Sequence, residues 1–94
     1  MFTNDRYLTQ GVRSTIPAYL QFILWLAVDS MEIEKDYLQV FKLEVHGKEQ
    51  YLCHLQEHPE YQKEYLFAVT QPIEAKVFII DDGDHTTMLL ADEY

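Results

Sequence analysis

The sequence predicts an α+β fold with one main helix packed on a mainly antiparallel sheet of about five to six strands. Three observations predict it. Residues 17–29 form one densely apolar stretch of helical length. From Tyr37 onward apolar residues recur with a period of two, which is typical of strands. Connections are short and no linker is visible, so we expect a single domain over residues 1–94.

The main helix is predicted over residues 17–29. Ser14 and Thr15 can cap its first free N–H groups, and Pro17 suits a first turn, where its missing N–H is not needed. Apolar side chains fill more than half of the helical wheel, which predicts a helix buried against a sheet. These side chains are Tyr19, Leu20, Phe22, Ile23, Leu24, Leu26 and Ala27.

The predicted order is one strand, the helix, and then five strands. The strands are expected over residues 6–10, 37–45, 50–57, 61–69, 73–81 and 86–91. Gly11 is expected to end the first strand, and a turn over residues 46–49 makes the next two a hairpin. A short helix is the competing interpretation of residues 86–91. The turn before them, with Gly83, and the pair Thr86 and Thr87 favour a strand.

Two sets of side chains define the expected core and the expected surface of the sheet. We expect deep burial of Leu20, Ile23, Leu24, Phe41, Val77 and Ile79. In the strand over residues 50–57, Tyr51, Cys53 and Leu55 are expected to point inward. The outer face keeps several apolar side chains that need a cover, either the N-terminal segment or a partner. They are Leu38, Val40, Leu52, Leu66 and Phe78.

Charge and composition exclude some classes of function. The net charge is −9 and no basic footprint is visible, so we expect no direct nucleic-acid binding. The apolar run over residues 16–28 is too short to span a bilayer, which needs about 20 residues. It also lacks the Lys or Arg residues of an interfacial helix, so no membrane association is expected. The lone Cys53 forms no internal disulfide, which indicates a reducing, cytoplasmic setting.

Several short motifs, in order along nearly the whole chain, carry a family resemblance. They are IPxxLQxxLWxxxD (residues 16–29), DYLQVF (residues 36–41), QExPxY (residues 56–61) and IDDGDxxTMLLxxEY (residues 80–94). With them the chain resembles the domain-of-unknown-function family 960 of small Gram-positive bacterial proteins. The resemblance implies a bacterial, cytoplasmic setting, and it implies no activity, cofactor or catalytic residue.

No constellation of residues predicts chemistry. The acidic turn over residues 81–84, with His85, does not match the calcium-loop spacing, and its residue types are those that turns select. The four histidines lack the convergent spacing of a zinc site and are expected on the surface. Cys53 and His54 should point to opposite faces of a strand, so they form no nucleophile pair. We therefore assign no catalytic, cofactor-binding or metal-binding residue.

Gln21 and Trp25 are the candidate partner contacts, because they fall on the polar sector of the predicted helix. The competing interpretation is that a loop or terminus covers Trp25. Together these features favour a small, acidic, non-catalytic protein–protein interaction module whose partner is an unknown protein or a second copy. The alternative is an acidic nucleic-acid mimic that inhibits a DNA- or RNA-binding protein, and the third hypothesis is a small enzyme.

Overall fold

A six-stranded mixed sheet with two helices makes up the fold. The structure is a computed structural model that describes residues 2–94. Its elements in chain order are β1 (Asp5–Leu8), α1 (Gln10–Thr15), α2 (Ala18–Asp29), β2 (Leu38–His46), β3 (Glu49–Gln56), β4 (Tyr61–Ala68), β5 (Ala75–Asp81) and β6 (His85–Leu90), followed by a 3₁₀ turn (Ala91–Glu93). The strand order is β1-β6-β5-β2-β3-β4. Among the strands of residues 2–94, only the β1–β6 pair is parallel, so the predicted α+β class with a mainly antiparallel sheet is confirmed.

Helix α1 is the element that the sequence prediction missed. Its N-cap is Thr9, whose side-chain oxygen accepts a hydrogen bond from the backbone N–H of Val12. The predicted strand over residues 6–10 therefore ends two residues early, and Gly11 lies inside a helix instead of ending a strand. A single main helix fits only roughly, because α1 adds a second, six-residue helix.

Helix α2 begins one residue later than predicted, at Ala18. Ser14 and Thr15 lie in α1 and do not cap it, so that part of the prediction is wrong. Pro17 is the N-cap residue, and its carbonyl oxygen accepts from the N–H groups of Leu20 and Gln21. Ser14 and Thr15, which the local sequence pattern assigns to capping α2, instead belong to the last turn of α1.

Only one side of α2 is buried. Its buried residues are Leu20, Leu24, Ala27 and Val28, whereas Ile23, expected in the deep core, is half-buried. Three other members of the apolar arc are largely exposed: Tyr19 at 45%, Phe22 at 67% and Leu26 at 53%. Deep burial is therefore confirmed for Leu20 and Leu24 but not for Ile23, because a sheet on one side of a helix covers only the side that faces it.

The register of the strands sorts the sheet into two faces. The covered face, under α2, carries Phe41, Leu43, Val77 and Ile79, all at most 2% exposed and all part of the core. Phe41 pairs with His54, and Leu43 pairs with Leu52, so these two β3 residues share the covered face. The opposite face, here called the open face, carries residues of the other parity in each strand.

The predicted orientation of β3 is wrong. Leu52 and His54 are buried on the covered face, whereas Tyr51, Cys53 and Leu55 belong to the open face. Both parities of YLCHL carry apolar side chains, so alternation alone does not select a face. The tight turn at Gly47, whose φ is 64°, sets the register that decides it.

The C-terminal hairpin follows the sequence prediction. Gly83 has a φ of 102°, and the Oδ1 atom of Asp82 accepts from the N–H groups of Asp84 and His85. Residues 85–90 form β6, so the strand interpretation is confirmed against the competing helix. Across residues 2–94, no helix is long and apolar enough to cross a membrane.

Candidate functional site

A groove of about 770 Å³ crosses the open face of the sheet. Its floor is apolar and comes from three half-buried side chains, Leu38 and Val40 of β2 and Leu55 of β3. Among residues 2–94, none before Asp36 lines it. Of the five apolar residues predicted for the outer face, Leu52 lies on the covered face instead, whereas Leu38, Val40, Leu66 and Phe78 occupy the open face as predicted.

Two lysines form one end of the groove. Lys42 of β2 and Lys76 of β5 are directly opposite each other in the antiparallel pair, so two like charges are neighbours. Among the residues that the structure describes, no carboxylate forms an ion pair with either lysine. The Nζ atom of Lys76 lies 5.7 Å from the ring centroid of Phe78. This end of the groove therefore presents two neighbouring lysine side chains on a chain of net charge −9.

The other end of the groove is acidic. It is lined by Asp36 from the segment before β2 and by Glu57, His58 and Glu60 from the turn between β3 and β4. The backbone N–H of His58 donates to Oδ2 of Asp36 at 3.4 Å, which links the two segments. The groove thus has an apolar floor between a basic end and an acidic end.

A row of buried glutamines holds the acidic end in place. The Nε2 group of Gln56 donates to the backbone carbonyl oxygens of Glu34 at 3.0 Å and Pro59 at 2.8 Å. Its Oε1 atom accepts from the backbone N–H of Asp36 at 2.7 Å and from Nε2 of Gln39 at 2.6 Å. Gln39 and Gln56 are at most 4% exposed. Because buried amides are costly unless paired, this network fixes both wall segments to the sheet.

The same network determines the protonation state of His54. The Oε1 atom of Gln39 faces Nε2 of His54 at 2.6 Å, since its Nε2 group already donates to Gln56. Nε2 of His54 must therefore carry the proton, and Nδ1 is a buried acceptor with no hydrogen-bond partner within residues 2–94. The ring stacks on Phe41 and meets Tyr61 edge-on, at centroid distances of 4.3 Å and 5.2 Å.

Burial of the ring and, as a smaller cause, the positive charge of Lys63 together lower the pKa of His54 to about 4. The ring is therefore neutral at neutral pH and is completely enclosed. The expectation that all four histidines lie on the surface is wrong for His54. Because no solvent reaches the ring, its role in this geometry is to support the network and not to bind a ligand.

The two predicted partner contacts, Gln21 and Trp25, lie on α2 and do not line the groove. The Nε2 group of Gln21 donates to the backbone carbonyl of Ile16 at 2.8 Å. Trp25 is half-buried, and the guanidinium carbon of Arg6 lies 4.8 Å from its ring centroid. Arg6 also forms an ion pair with Asp29. Both side chains therefore have partners within the chain, and their contact with another protein stays a prediction.

The carboxylates of the acidic turn over residues 81–84 accept hydrogen bonds from other groups of the same chain. Asp81 is 6% exposed, and its carboxylate accepts from the N–H of Phe2 at 2.6 Å, the N–H of Gly83 at 2.8 Å and the side-chain amide of Asn4 at 3.1 Å. These hydrogen bonds, with that of Phe2 first, lower the pKa of Asp81. In the part of the chain that is described, no group of three or more His, Cys, Asp or Glu residues is placed to hold a metal ion.

A comparison with protein families finds one family model that matches nearly the whole chain. The family model described as "Staphylococcal protein of unknown function", domain-of-unknown-function family 960, matches residues 5–93. The chain belongs to this family. The resemblance found in the sequence motifs is therefore confirmed.

One solved structure that resembles this member of family 960 is a protein of unknown function from Enterococcus faecalis. It matches the chain with a TM-score of 0.84 and 26% sequence identity, over 97% of this chain and 91% of that chain. No curated protein matches the sequence.

The sequence predicted Leu38 and Val40 of the groove floor on the outer face, but it did not predict the two charged ends of the groove, because their parts come from separate segments. Lys42 and Lys76 are distant in sequence and meet only through the β2–β5 pairing. The acidic end joins two segments, 34–37 and 57–60, through a buried glutamine. One signal was available: Gln39, Gln50 and Gln56 are long polar residues inside strands, and buried amides of this kind often hold loops.

Proposed function

We propose that this protein is a non-catalytic protein–protein interaction module of the cytoplasm. The observation that carries the proposal is the groove on the open face, with its floor of Leu38, Val40 and Leu55 between a basic end and an acidic end. An apolar surface bordered by polar groups is typical of a docking site. The single Cys53 is buried and free, which suits a reducing compartment.

The chemistry of the groove selects one class of occupant. We propose an extended segment of a partner protein that places an apolar side chain on the floor. A carboxylate on one side of this anchor meets Lys42 and Lys76, and a basic group on the other side meets Glu57 and Glu60. The unpaired lysines favour such a segment, because two like charges side by side are stabilised by an incoming anion.

The surface supports this function over the alternatives that the composition left open. A nucleic-acid mimic needs its carboxylates free along one stripe. Here Asp29, Asp81 and Glu93 hold other parts of the chain, at separate places in the fold. An enzyme needs a reactive group that its surroundings activate, whereas His54, whose pKa is strongly lowered, is buried on the covered face and does not line the groove. Neither alternative has an observation in its favour.

Selection from a random peptide library on the purified chain tests the proposal. We expect the recovered peptides to share an apolar residue with Asp or Glu two or three positions away, and to lose affinity at least tenfold for the double variant Lys42→Glu, Lys76→Glu. The matched control is the double variant Arg13→Glu, Lys48→Glu, which makes the same change in net charge outside the groove and its wall segments. Peptides that bind both double variants equally, or that have no such motif, would contradict the proposal.

A further inference from the structure

The outer surface of α2 carries an apolar stripe that the chain does not cover. Tyr19, Phe22 and Leu26 follow the i, i+3, i+7 spacing that aligns side chains along one side of a helix. They are 45%, 67% and 53% exposed. The stripe is on the side of α2 away from Leu20 and Leu24, which pack into the core.

The sequence of α2 is unusual for a helix on a protein surface. Such a helix normally carries charged residues on its outer side. In α2 the only charged residue is Asp29 at its end, although 24% of the whole chain is charged. A helix whose outer side also carries apolar residues is typical of one that is buried on both sides. Within residues 2–94, only the side of α2 that faces the sheet is covered.

We propose that this stripe is the interface of a symmetric dimer, in which the α2 helices of two copies pack antiparallel. A two-fold interface needs a surface that is complementary to itself, and an uncharged stripe meets this condition. If the axis passes between Phe22 and Ile23, Tyr19 of each copy faces Leu26 of the other, and Phe22 faces Ile23. Each pair then joins an aromatic to an aliphatic side chain.

Charge selects the antiparallel arrangement over the parallel one. The N-terminal approach to α2 carries the exposed Arg13, whereas the chain after its C-terminus carries the exposed Glu32 and Glu34. Antiparallel packing brings the basic end of one helix toward the acidic end of the other, and it also opposes the two helix dipoles. Parallel packing would bring like charges together at both ends.

The dimer surface is separate from the groove. None of Tyr19, Phe22 and Leu26 lines the groove, which lies on the opposite side of the sheet. A dimer built on α2 therefore leaves two grooves free, and a partner with two suitable segments can engage both. Because three helix side chains and the half-buried Ile23 form a small interface, we expect weak self-association, with a dissociation constant on the order of 10 µM.

Analytical ultracentrifugation of the purified chain from 1 to 200 µM tests the dimer without any partner protein. We expect a reversible monomer–dimer equilibrium that Phe22→Glu shifts at least tenfold toward monomer. Leu66→Glu, at a position of similar exposure (54%) on the open face, is the matched control and should leave the equilibrium unchanged. Circular dichroism melts at 1 µM confirm that each variant is folded.

A mixing experiment tests the antiparallel register. Tyr19→Glu and Leu26→Lys should each weaken the dimer when measured alone. In an equimolar mixture the two variants should form a heterodimer, because the introduced carboxylate of one copy then faces the introduced ammonium group of the other. The second contact in this heterodimer keeps its native pair of Tyr19 and Leu26.

Three results would overturn the dimer proposal. The first is a chain that stays monomeric to 200 µM. The second is a dimer that Leu66→Glu breaks and Phe22→Glu leaves intact, and the third is a mixture of the two charged variants that does not associate. Each of these results leaves the peptide-binding assay of the groove unaffected, so failure of the dimer and failure of the proposed function are distinguishable.

Discussion

His54 and Lys63 are directly opposite each other on β3 and β4, so a buried neutral imidazole lies beside a lysine. Both the burial and this neighbouring charge act against protonation of the ring and lower the pKa of His54 to about 4. The other titratable neighbour of the ring, Tyr61, has a raised pKa and stays neutral in mild acid. Because protonation of His54 is disfavoured in the folded chain, acid should destabilise the fold.

Stability should fall as the pH drops from 7 toward 4. The unfolded chain binds a proton on His54 near its ordinary pKa of 6.5, whereas the folded chain does so only near 4, so protons favour the unfolded state across this window. From pH 7 to pH 5 we expect a loss of about 2 kcal/mol from this residue. Urea melts at both pH values measure it.

The control for this loss is a pair of variants. His54→Gln keeps a donor toward Gln39 and does not titrate. Between pH 7 and pH 5 this variant should therefore lose about 2 kcal/mol less stability than the wild type. His58→Gln, the same substitution at a side chain that is 87% exposed, is the matched control. Equal slopes for wild type and His54→Gln would contradict the assignment of His54 as buried and neutral.

Gln39→Met should destabilise the fold by about 1–3 kcal/mol, because it leaves the Nε2–H of His54 without a buried partner, whereas Oε1 of Gln56 keeps the backbone N–H of Asp36. Gln62→Met, an exposed position on β4, should change stability by less than about 0.5 kcal/mol. Denaturant melts of the two variants compare them. A similar small effect at both positions would show that the glutamine network contributes little.

Leu24→Ala should cost roughly 2–5 kcal/mol, since Leu24 is completely buried at the centre of the interface between α2 and the sheet. Leu66→Ala removes the same atoms from a side chain that is 54% exposed and should cost far less. Chemical denaturation at low protein concentration gives both values. A loss below about 1 kcal/mol at Leu24 would contradict its place in the core.

The effect of Gly11→Ala on the free energy of unfolding should change sign when Glu93 is replaced by alanine. A Cβ atom on Gly11 would lie 2.5 Å from a carboxylate oxygen of Glu93, which accepts from Thr9, Gly11 and Leu90. In the wild type the substitution should therefore be destabilising. In a Glu93→Ala background the clash is gone, and alanine should stabilise α1 by about 0.5–1 kcal/mol relative to glycine. A double-mutant cycle tests this, and additive effects would refute it.

The acidic turn at Gly83 should bind no structural metal. Asp81 already accepts three hydrogen bonds, and Asp82 caps the backbone of the turn. We expect millimolar Ca²⁺, Mg²⁺, Mn²⁺ or Zn²⁺ to raise the melting temperature no more than sodium chloride of matched ionic strength. A larger rise with one ion that Asp82→Asn or Asp84→Asn abolishes would show that the turn is a metal site.

The sequence by itself determined the class of the fold and most of its elements. The change from a helical period to a period of two near Tyr37 separates α2 from the strands, and Gly47 and Gly83 mark tight turns. Such local signals are sufficient because period, turn chemistry and chain length act within a few residues. They also predicted the burial of Leu20, Leu24, Phe41, Val77 and Ile79.

Only the tertiary structure decided which faces are covered. Strand β3 is apolar on both faces, and the pairing of Leu52 with Leu43 selects the buried one. The apolar residues of α2 exceed what one sheet can bury, so Phe22 stays exposed although it belongs to the apolar arc of the helical wheel. The groove needs Lys42 and Lys76 on paired strands. These features depend on contacts between distant segments, and local sequence patterns carry no information about such contacts.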